Sequence, residues 1–271
     1  MSSFLWGRRD RFGEPKEKIG APHALLCCCC GQLVIISNVR AKKEMRTGNS
    51  TPHLPEDYDA QVIRTIPHYE TIHGEVIDLI LSLRCPPKVW LDTGCGTGAM
   101  VKRALRVIPD TQFVLVDPSP TMLEQARTRL APEPRVRFLE PCRTQDLLRK
   151  VDEAPDVITA VQCHHYLSRE ERAAAVQVCY DLLTKGGIFI TFENIRPFTD
   201  VGTEIGKRKW GRFQVANGRV EAEVEAHLAR FDTEYFPITV VEHLELLRRS
   251  GFRAVELLWY SNMQAGLYGV K

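Results

Sequence analysis

Residues 91–98 read LDTGCGTG, an apolar strand that ends on an acid and opens into glycines at alternate positions, Gly94, Gly96 and Gly98. A chain that is stiff, then acidic, then almost free of side chains commits to a strand–turn–helix corner. Glycines reach positive φ at little cost and let a ligand lie against the backbone. The helix that starts in the turn offers unpaired N–H groups to an anionic ligand group. Corners of this kind are built in α/β folds, where strands and helices alternate. One ligand class drops out at once. Gly98 is followed by Ala99 and Met100, not by the Lys-Ser/Thr of a nucleotide-hydrolysing loop.

The rest of the chain keeps that alternation. Apolar residues from Ile63 to Leu81 recur at helical spacing, so one or two amphipathic helices are expected over 58–84, split at Pro67. Strands are expected at 88–92, 111–117, 135–140, 155–161 and 186–193. Helices are expected at 97–107, at 119–130 with Ser119 as cap and Pro120 at its first position, and at 169–187. Residues 197–234 break the rhythm and read as a helical insertion. A helix at 239–250 and two strands, 253–261 and 265–271, follow it. Those strands lie so close in sequence that they should pair antiparallel. Strands this uniformly apolar need helices on both faces. The expected fold is therefore α/β, with a seven-stranded, mostly parallel sheet, an antiparallel last strand and the helical insertion after the fifth strand.

Two ligand families remain. Gly94-x-Gly96-x-x-Ala99 satisfies the dinucleotide fingerprint, which keeps a dehydrogenase open. Asp92, just ahead of the first glycine, gains nothing from a pyrophosphate but suits an ammonium, such as the amino-acid end of S-adenosylmethionine. Asp117, ending the second strand, is placed for ribose hydroxyls in either case. The segments LDTGCGTG (91–98), LVDPSPTMLEQA (115–126) and LLTKGGIFITFE (182–193), in that order, resemble the class I S-adenosylmethionine-dependent methyltransferases. The antiparallel AGLYGVK at the end fits as well. The resemblance covers residues 58–271 and implies a Rossmann-like class I methyltransferase fold with S-adenosyl-L-methionine as cofactor.

A narrower likeness runs through VIRTIPHYETIH (62–73), ANGRVEAEVEAHLARF (216–231) and the tail from His243. These are similar to the carboxy-S-adenosylmethionine synthases of bacterial tRNA wobble-uridine modification. That resemblance implies cofactor contacts at Tyr69, at Gly94, Cys95 and Gly96, at Asp117 and Pro118, and on the adenine side at Arg143 and Thr144. The branch carries an acid where Arg143 stands, so Gln145 or Asp146 is expected to take the adenine amine. Asp92, Gly98 and Gln162 complete the expected cofactor set. The branch also holds an extra cofactor carboxylate with an arginine just before ANG, where this chain has Val215. A second buried carboxylate without a cation is poorly compensated. Ordinary S-adenosylmethionine and methyl transfer to a small-molecule acceptor are therefore preferred. The alternatives are a carboxy-S-adenosylmethionine synthase-like enzyme, with Arg212 or Arg219 substituting, and a cofactor-binding protein without catalysis.

In-line attack on a sulfonium needs positioning first, and a base only where the acceptor arrives protonated. Ligands of open parallel sheets bind outside the C-terminal ends of the strands. There QCHHYL (162–167) supplies His164 and His165 as candidate bases and Tyr166 as a substrate contact. Glu193 and Asn194, after the fifth strand, join the substrate side. The inserted region, with Trp210, Phe213, Phe231 and Phe236, is expected to close as a lid or to pair two copies in a homodimer.

Composition narrows the partners. Up to residue 48 the chain carries nine Lys/Arg against four acids, leaving 27 of the 36 basic groups against 30 of the 34 acidic ones for the rest. A slightly acidic body gives no long-range pull on a polyanion, so nucleic acid is not an expected partner. The nine cysteines comprise the run Cys27–Cys30 and five scattered ones without a C-x-x-C pair. That pattern argues against a disulfide framework or a zinc site and for a reducing cytoplasm. The apolar run 24–36 is 13 residues long, and a bilayer needs about 20, so no membrane partner is expected. Residues 1–57 are expected to form a disordered extension ending in the turn-rich stretch 46–57, with Met45 as an alternative start.

Overall fold

The computed structural model describes residues 57–271, so the extension expected at 1–57, its cysteine run and Met45 lie outside the described residues, apart from Asp57. Seven strands form one sheet: β1 (Val89–Thr93), β2 (Gln112–Val116), β3 (Val136–Phe138), β4 (Val157–Val161), β5 (Ile188–Asn194), β6 (Ala254–Ser261) and β7 (Gln264–Val270). Their order is β3-β2-β1-β4-β5-β7-β6. Strands β1 to β5 pair in parallel, and β7 is antiparallel to both of its neighbours, β5 and β6. Because β1 is flanked by β2 and β4, the chain reverses its winding there. That reversal leaves a crevice beyond the C-terminal ends of β1 and β4.

Side chains alternate across the sheet as the pleat requires. Val89 and Leu91 join a core with Val176 and Cys179 of α5 (Arg169–Leu182) and Leu247 of α8 (Val240–Arg249). Trp90 points the other way, into a core with Ile72, Val76 and Ile80 of α2 (Tyr69–Leu81) and Met100 of α3 (Ala99–Ala104). Each face thus buries its own apolar layer, which is why the strands read as continuous apolar runs. Where β7 crosses β5 the fit leaves no room for a side chain. A Cβ on Gly266 would lie 2.2 Å from the Phe192 ring.

Pro67 splits the first helical stretch into α1 (Tyr58–Thr65) and α2, and His68 at the joint takes a left-handed φ of 60°. The helix expected at 97–107 is regular only over α3, then tightens into i→i+3 turns at Arg106 and Val107 ahead of Pro109. The strand expected at 135–140 keeps three residues of β3, an edge strand paired with β2 alone. The stretch 197–234 holds α6 (Asp200–Ala216) and α7 (Glu221–Ala229). Trp210 of α6 is fully buried, and its Nε1–H donates to the Thr65 carbonyl at 2.6 Å. At its other end α1 is held by Asp59, which accepts from Thr97 Oγ1 at 2.8 Å and pairs with Arg129 of α4 (Pro120–Leu130). So α1 is pinned between the glycine turn and the inserted helices, across the crevice.

Candidate active site

Strand β1 delivers the chain into a turn where Gly94, Gly96 and Gly98 have φ of 67°, 55° and 73°. A side chain at Gly94 would be both strained and blocked, since a Cβ there would lie 2.6 Å from Cys163 in the turn after β4. The turn is fixed from β2. Asp117 accepts the Gly96 N–H through Oδ2 at 2.9 Å and the Ser119 N–H through Oδ1 at 2.8 Å. Burial pushes the Asp117 carboxyl up, and those two N–H bonds pull the other way.

A cavity of about 450 Å³ opens here, lined by Gly94, Gly96, Asp117 and Pro118 on one side and by Thr144, Gln145, Gln162, His164 and Tyr166 on the other. Arg143 and Asp146 line it too, from the 3-10 turn Thr144–Arg149 and its cap. Tyr58 of α1 also lines the cavity, with no sequence motif to mark it. Two lining side chains carry buried polar atoms without a partner, Gln145 Oε1 and Gln162 Nε2. Gln162 also stands at φ 55°, a backbone strain that a non-glycine residue holds only where packing imposes it.

Seven expectations shift. Tyr69 stays half-buried outside the cavity and makes a side-chain hydrogen bond to Tyr58, which takes the wall position. Cys95 and Gly98 shape the turn without lining it. The Cys95 N–H pairs with the Val116 carbonyl at 3.0 Å, and Gly98 caps α3 against Leu130. Asp92 is buried behind the lining residues, one oxygen accepting from Thr159 Oγ1 at 2.6 Å, while that hydroxyl takes the Trp90 Nε1–H at 2.8 Å. Burial pushes the Asp92 carboxyl up to about 7 against the Thr159 bond, with Asp117 adding its charge.

The other three are Glu193, Asn194 and His165, which the main cavity does not reach. Glu193 is wholly buried and already saturated. Its Oε1 accepts from the His164 N–H at 3.1 Å and Thr191 Oγ1 at 2.9 Å, and its Oε2 from the His165 N–H at 2.9 Å and His165 Nδ1 at 2.6 Å. Burial raises this carboxyl, but the hydrogen bond and charge of His165, then His164, outweigh it and hold it at about 2. It orients the histidines and leaves no oxygen for a substrate. Arg172, almost wholly buried on α5, faces the same cluster. It donates to the carbonyls of His164 at 3.1 Å, Leu167 at 3.2 Å and Phe236 at 2.5 Å. Within REERAAAV it reads as one more surface charge, so its burial was not legible.

The two histidines part company. His164 packs on Phe189 and its Nε2 meets Thr144 Oγ1 at 3.1 Å. Burial lowers its pKa to about 4, so it is neutral at pH 7. His165 lines a second, smaller cavity of about 20 Å³ together with Tyr58, Gln162, Tyr166, Asn194 and Tyr235. Tyr58, Gln162 and Tyr166 line both cavities, so the inner one adjoins the outer. Its roof is α1, through Val62, Thr65 and Ile66, and its far wall is His227 and Tyr235, whose hydroxyl donates to the His227 carbonyl at 3.1 Å. Among the described residues no cluster of His, Cys, Asp or Glu is set to hold a metal, and no helix is long and apolar enough to cross a membrane.

The outer cavity suits a nucleoside with an amino-acid tail. Its volume is that of a small-molecule site. A side-chain-free strip runs along Gly94 and Gly96, an acid stands at the end of β2, and two orphaned amide atoms await partners. The comparisons agree. A sequence model described as a methyltransferase domain matches residues 91–189. The carboxy-S-adenosyl-L-methionine synthase of Trichodesmium erythraeum is 24% identical over 203 residues, 74% of this chain and 79% of that protein. That of Marinobacter nauticus is 28% identical over 223 residues, 78% of this chain and 88% of the relative. Among solved structures, a putative O-methyltransferase from Nostoc punctiforme is similar at a TM-score of 0.57 and 14% identity, covering 80% of this chain and 59% of its own. The N-methyltransferase NodS from Bradyrhizobium japonicum, in complex with S-adenosyl-L-homocysteine, gives 0.53 at 14% identity, covering 76% and 88%. This chain spans little over half of other such structures, 56% of an O-methyltransferase family protein from Burkholderia thailandensis and 54% of human N-acetylserotonin methyltransferase. Residues 91–189 match a methyltransferase domain, and the sheet order and glycine turn are those of the class I S-adenosylmethionine-dependent methyltransferase fold.

Proposed function

We propose that the protein transfers a methyl group from S-adenosylmethionine to a small-molecule acceptor in the cytoplasm. Asp117 would hold the ribose, Gly94 and Gly96 the backbone-facing edge, and Gln145 with Asp146 the adenine amine. Bound S-adenosylmethionine supplies an electrophilic methyl on a sulfonium. The observation that carries the reading is the inner cavity, which adjoins the cofactor cavity through Tyr58, Gln162 and Tyr166 and gives an acceptor group a place beside it. The walls of α1 and of the inserted helices keep that place dry, which favours methyl transfer over hydrolysis.

A second reading, a carboxy-S-adenosylmethionine synthase-like enzyme, is favoured by the curated relatives. Among the described residues, no cation of α6 lines either cavity. Arg212 and Val215 line a separate surface concavity with Lys209, and Arg219 bonds Gln214 and ion-pairs with Glu223. Mass spectrometry of the nucleoside released from purified full-length protein separates the two. S-adenosylmethionine or S-adenosylhomocysteine is the expected species. One heavier by a carboxylate would overturn methyl transfer in favour of the second reading.

A further inference from the structure

We infer that His165 is the general base of this site and that its acceptor is a small, neutral hydroxyl compound of the phenol or enol kind. The inference rests on the methyl-transfer reading and deepens it, by naming the acceptor's chemistry from the groups that would meet it.

The tautomer comes first. Glu193 is acceptor-only, so the His165 ring must present Nδ1–H to it across their 2.6 Å contact. The lone pair of a neutral imidazole is then on Nε2, on a ring that lines the inner cavity. Asn194 Nδ2 lies 3.2 Å from that nitrogen and donates to it, the role an acceptor hydroxyl would take over. Asn194 is itself steadied across the β5–β7 pair by Gln264 Nε2, which donates to its Oδ1 at 3.1 Å. Both ends of the imidazole are thus set by β5, with β7 behind Asn194, and only its cavity-facing edge is open to exchange partners. His164, with Nε2 on Thr144, lines the outer cavity and not the inner one.

Charge and shape then select the acceptor. Among the described residues, no Lys, Arg, Asp or Glu lines the inner cavity. An anionic or cationic acceptor would enter uncompensated, which burial penalises steeply. Tyr58 and Tyr166 also line the outer cavity, and with Tyr235 they give the passage between the two cavities aromatic walls, suited to a planar unsaturated group lying across it. Its volume of about 20 Å³ admits little more than one water-sized group, so the reacting hydroxyl enters and the rest of the acceptor stays in the outer cavity. A hydroxyl is also the nucleophile that needs a base, because it arrives protonated. The acceptor oxygen forms the new C–O bond as the sulfonium C–S bond breaks, that electron pair staying on sulfur. The hydroxyl proton passes to His165 Nε2, and the imidazolium so formed rests on the Glu193 carboxylate.

The test uses full-length protein with ¹⁵N-labelled histidine, saturated with S-adenosylhomocysteine, and two probes, phenol and benzoate. The expected result is a His165 ring protonated at Nδ1 and bare at Nε2, whose Nε2 resonance phenol shifts saturably while benzoate leaves it unmoved. Replacing the carboxylate in Glu193→Gln should move the ring toward the Nε2–H tautomer with cofactor affinity retained. His165→Gln should bind phenol about tenfold more weakly, the worth of one hydrogen bond, at unchanged S-adenosylhomocysteine affinity. An Nε2-protonated His165 in the wild type, or an Nε2 indifferent to phenol while the cofactor product saturates, overturns the assignment. Calorimetry that finds no S-adenosylhomocysteine binding at all overturns the methyl-transfer reading, and this one with it.

Discussion

The two cavities share Tyr58, Gln162 and Tyr166 yet are assembled in opposite ways. The outer one is a product of short local segments: a glycine turn, the acid that ends β2, and the 3-10 turn after β3. Each sits at the C-terminal end of a strand and offers mainly backbone or short polar groups. The inner one draws single side chains from α1, β5, α7 and the segment beyond α7, residues far apart in sequence. Holding a nucleoside asks for backbone geometry that a few neighbouring residues can specify. Gripping an acceptor asks for side chains whose meeting depends on how whole elements pack. The comparison predicts that faults in the outer cavity cost cofactor affinity, and faults in the inner wall cost acceptor handling.

The largest effect should come from Arg172, a buried cation that supports the inner wall. Arg172→Leu removes the donor to three carbonyls and leaves Glu193 with less compensating charge. Losing one side of such a buried arrangement costs roughly 3–5 kcal/mol, read as a lower urea midpoint at unchanged slope. A loss below about 1 kcal/mol, the worth of a single neutral hydrogen bond, would mean that the inner wall does not depend on it.

Next come two changes in the outer cavity. Gly94→Ala forces a Cβ against Cys163 at positive φ, for a cost of about 1–3 kcal/mol, and it should abolish measurable S-adenosylmethionine binding in calorimetry. Asp117→Ala removes an acceptor for ribose and frees the Gly96 N–H, so affinity should fall by roughly 10- to 150-fold, the equivalent of one charge-assisted bond. Retained affinity in both variants would dissolve the distinction between the cavities.

The buried carboxylates sharpen it by pH. Asp92, near the outer cavity, has its pKa raised to about 7 by burial, whereas Glu193, beside the inner one, is held at about 2 by the histidines despite burial. A raised carboxyl adds stability that is complete below its unfolded value of 3.8 and lost as pH rises through about 7. A lowered one adds stability that is present above 4.5 and lost as pH falls toward about 2. Asp92 stands behind the cavity lining, so a cationic ligand favours its ionised form only through space, and cofactor affinity should climb by well under about tenfold per pH unit between roughly pH 5.5 and 7. Asp92→Asn should flatten that climb and raise the stability of the ligand-free protein at pH 8. A profile equally steep in the variant would assign the proton elsewhere.

Much of this was legible in the sequence, for reasons that particular residues make plain. Pro67 splits α1 from α2, Ser119 caps α4, and the apolar runs become strands buried on both faces, because each signal acts locally. The glycine turn and Asp117 were readable for the same cause. Tyr58 was not, since an aromatic residue near a chain segment of turns carries no mark that α1 folds over the crevice. Nor was the role of Glu193, which follows strand residues in a pattern that equally suits a substrate contact. Its four donors come from residues 164, 165 and 191, and only the parallel pairing of β4 with β5 brings them together.

The smallest expected effect is the one that separates the cavities most finely. Trp210 of α6 lines neither cavity, but it packs edge-on against His227 and Tyr235 of the inner wall, and its Nε1–H holds the end of α1 that roofs the inner cavity. Trp210→Phe keeps an aromatic body in the core and removes that single bond, for about 1 kcal/mol of stability. The other end of α1 stays latched by Asp59 to Thr97 and Arg129, next to the glycine turn. Cofactor affinity should therefore remain within about twofold, while the roof over Thr65 and Ile66 loosens and amide exchange in α1 speeds up roughly five- to tenfold, as a loss of about 1 kcal/mol in local opening allows. Faster exchange through Val62 to Ile66, with Tyr58 and Asp59 unchanged, would show that α1 serves the two cavities from separate anchors. Uniform acceleration along α1 and the glycine turn would show instead that the two cavities open as one unit.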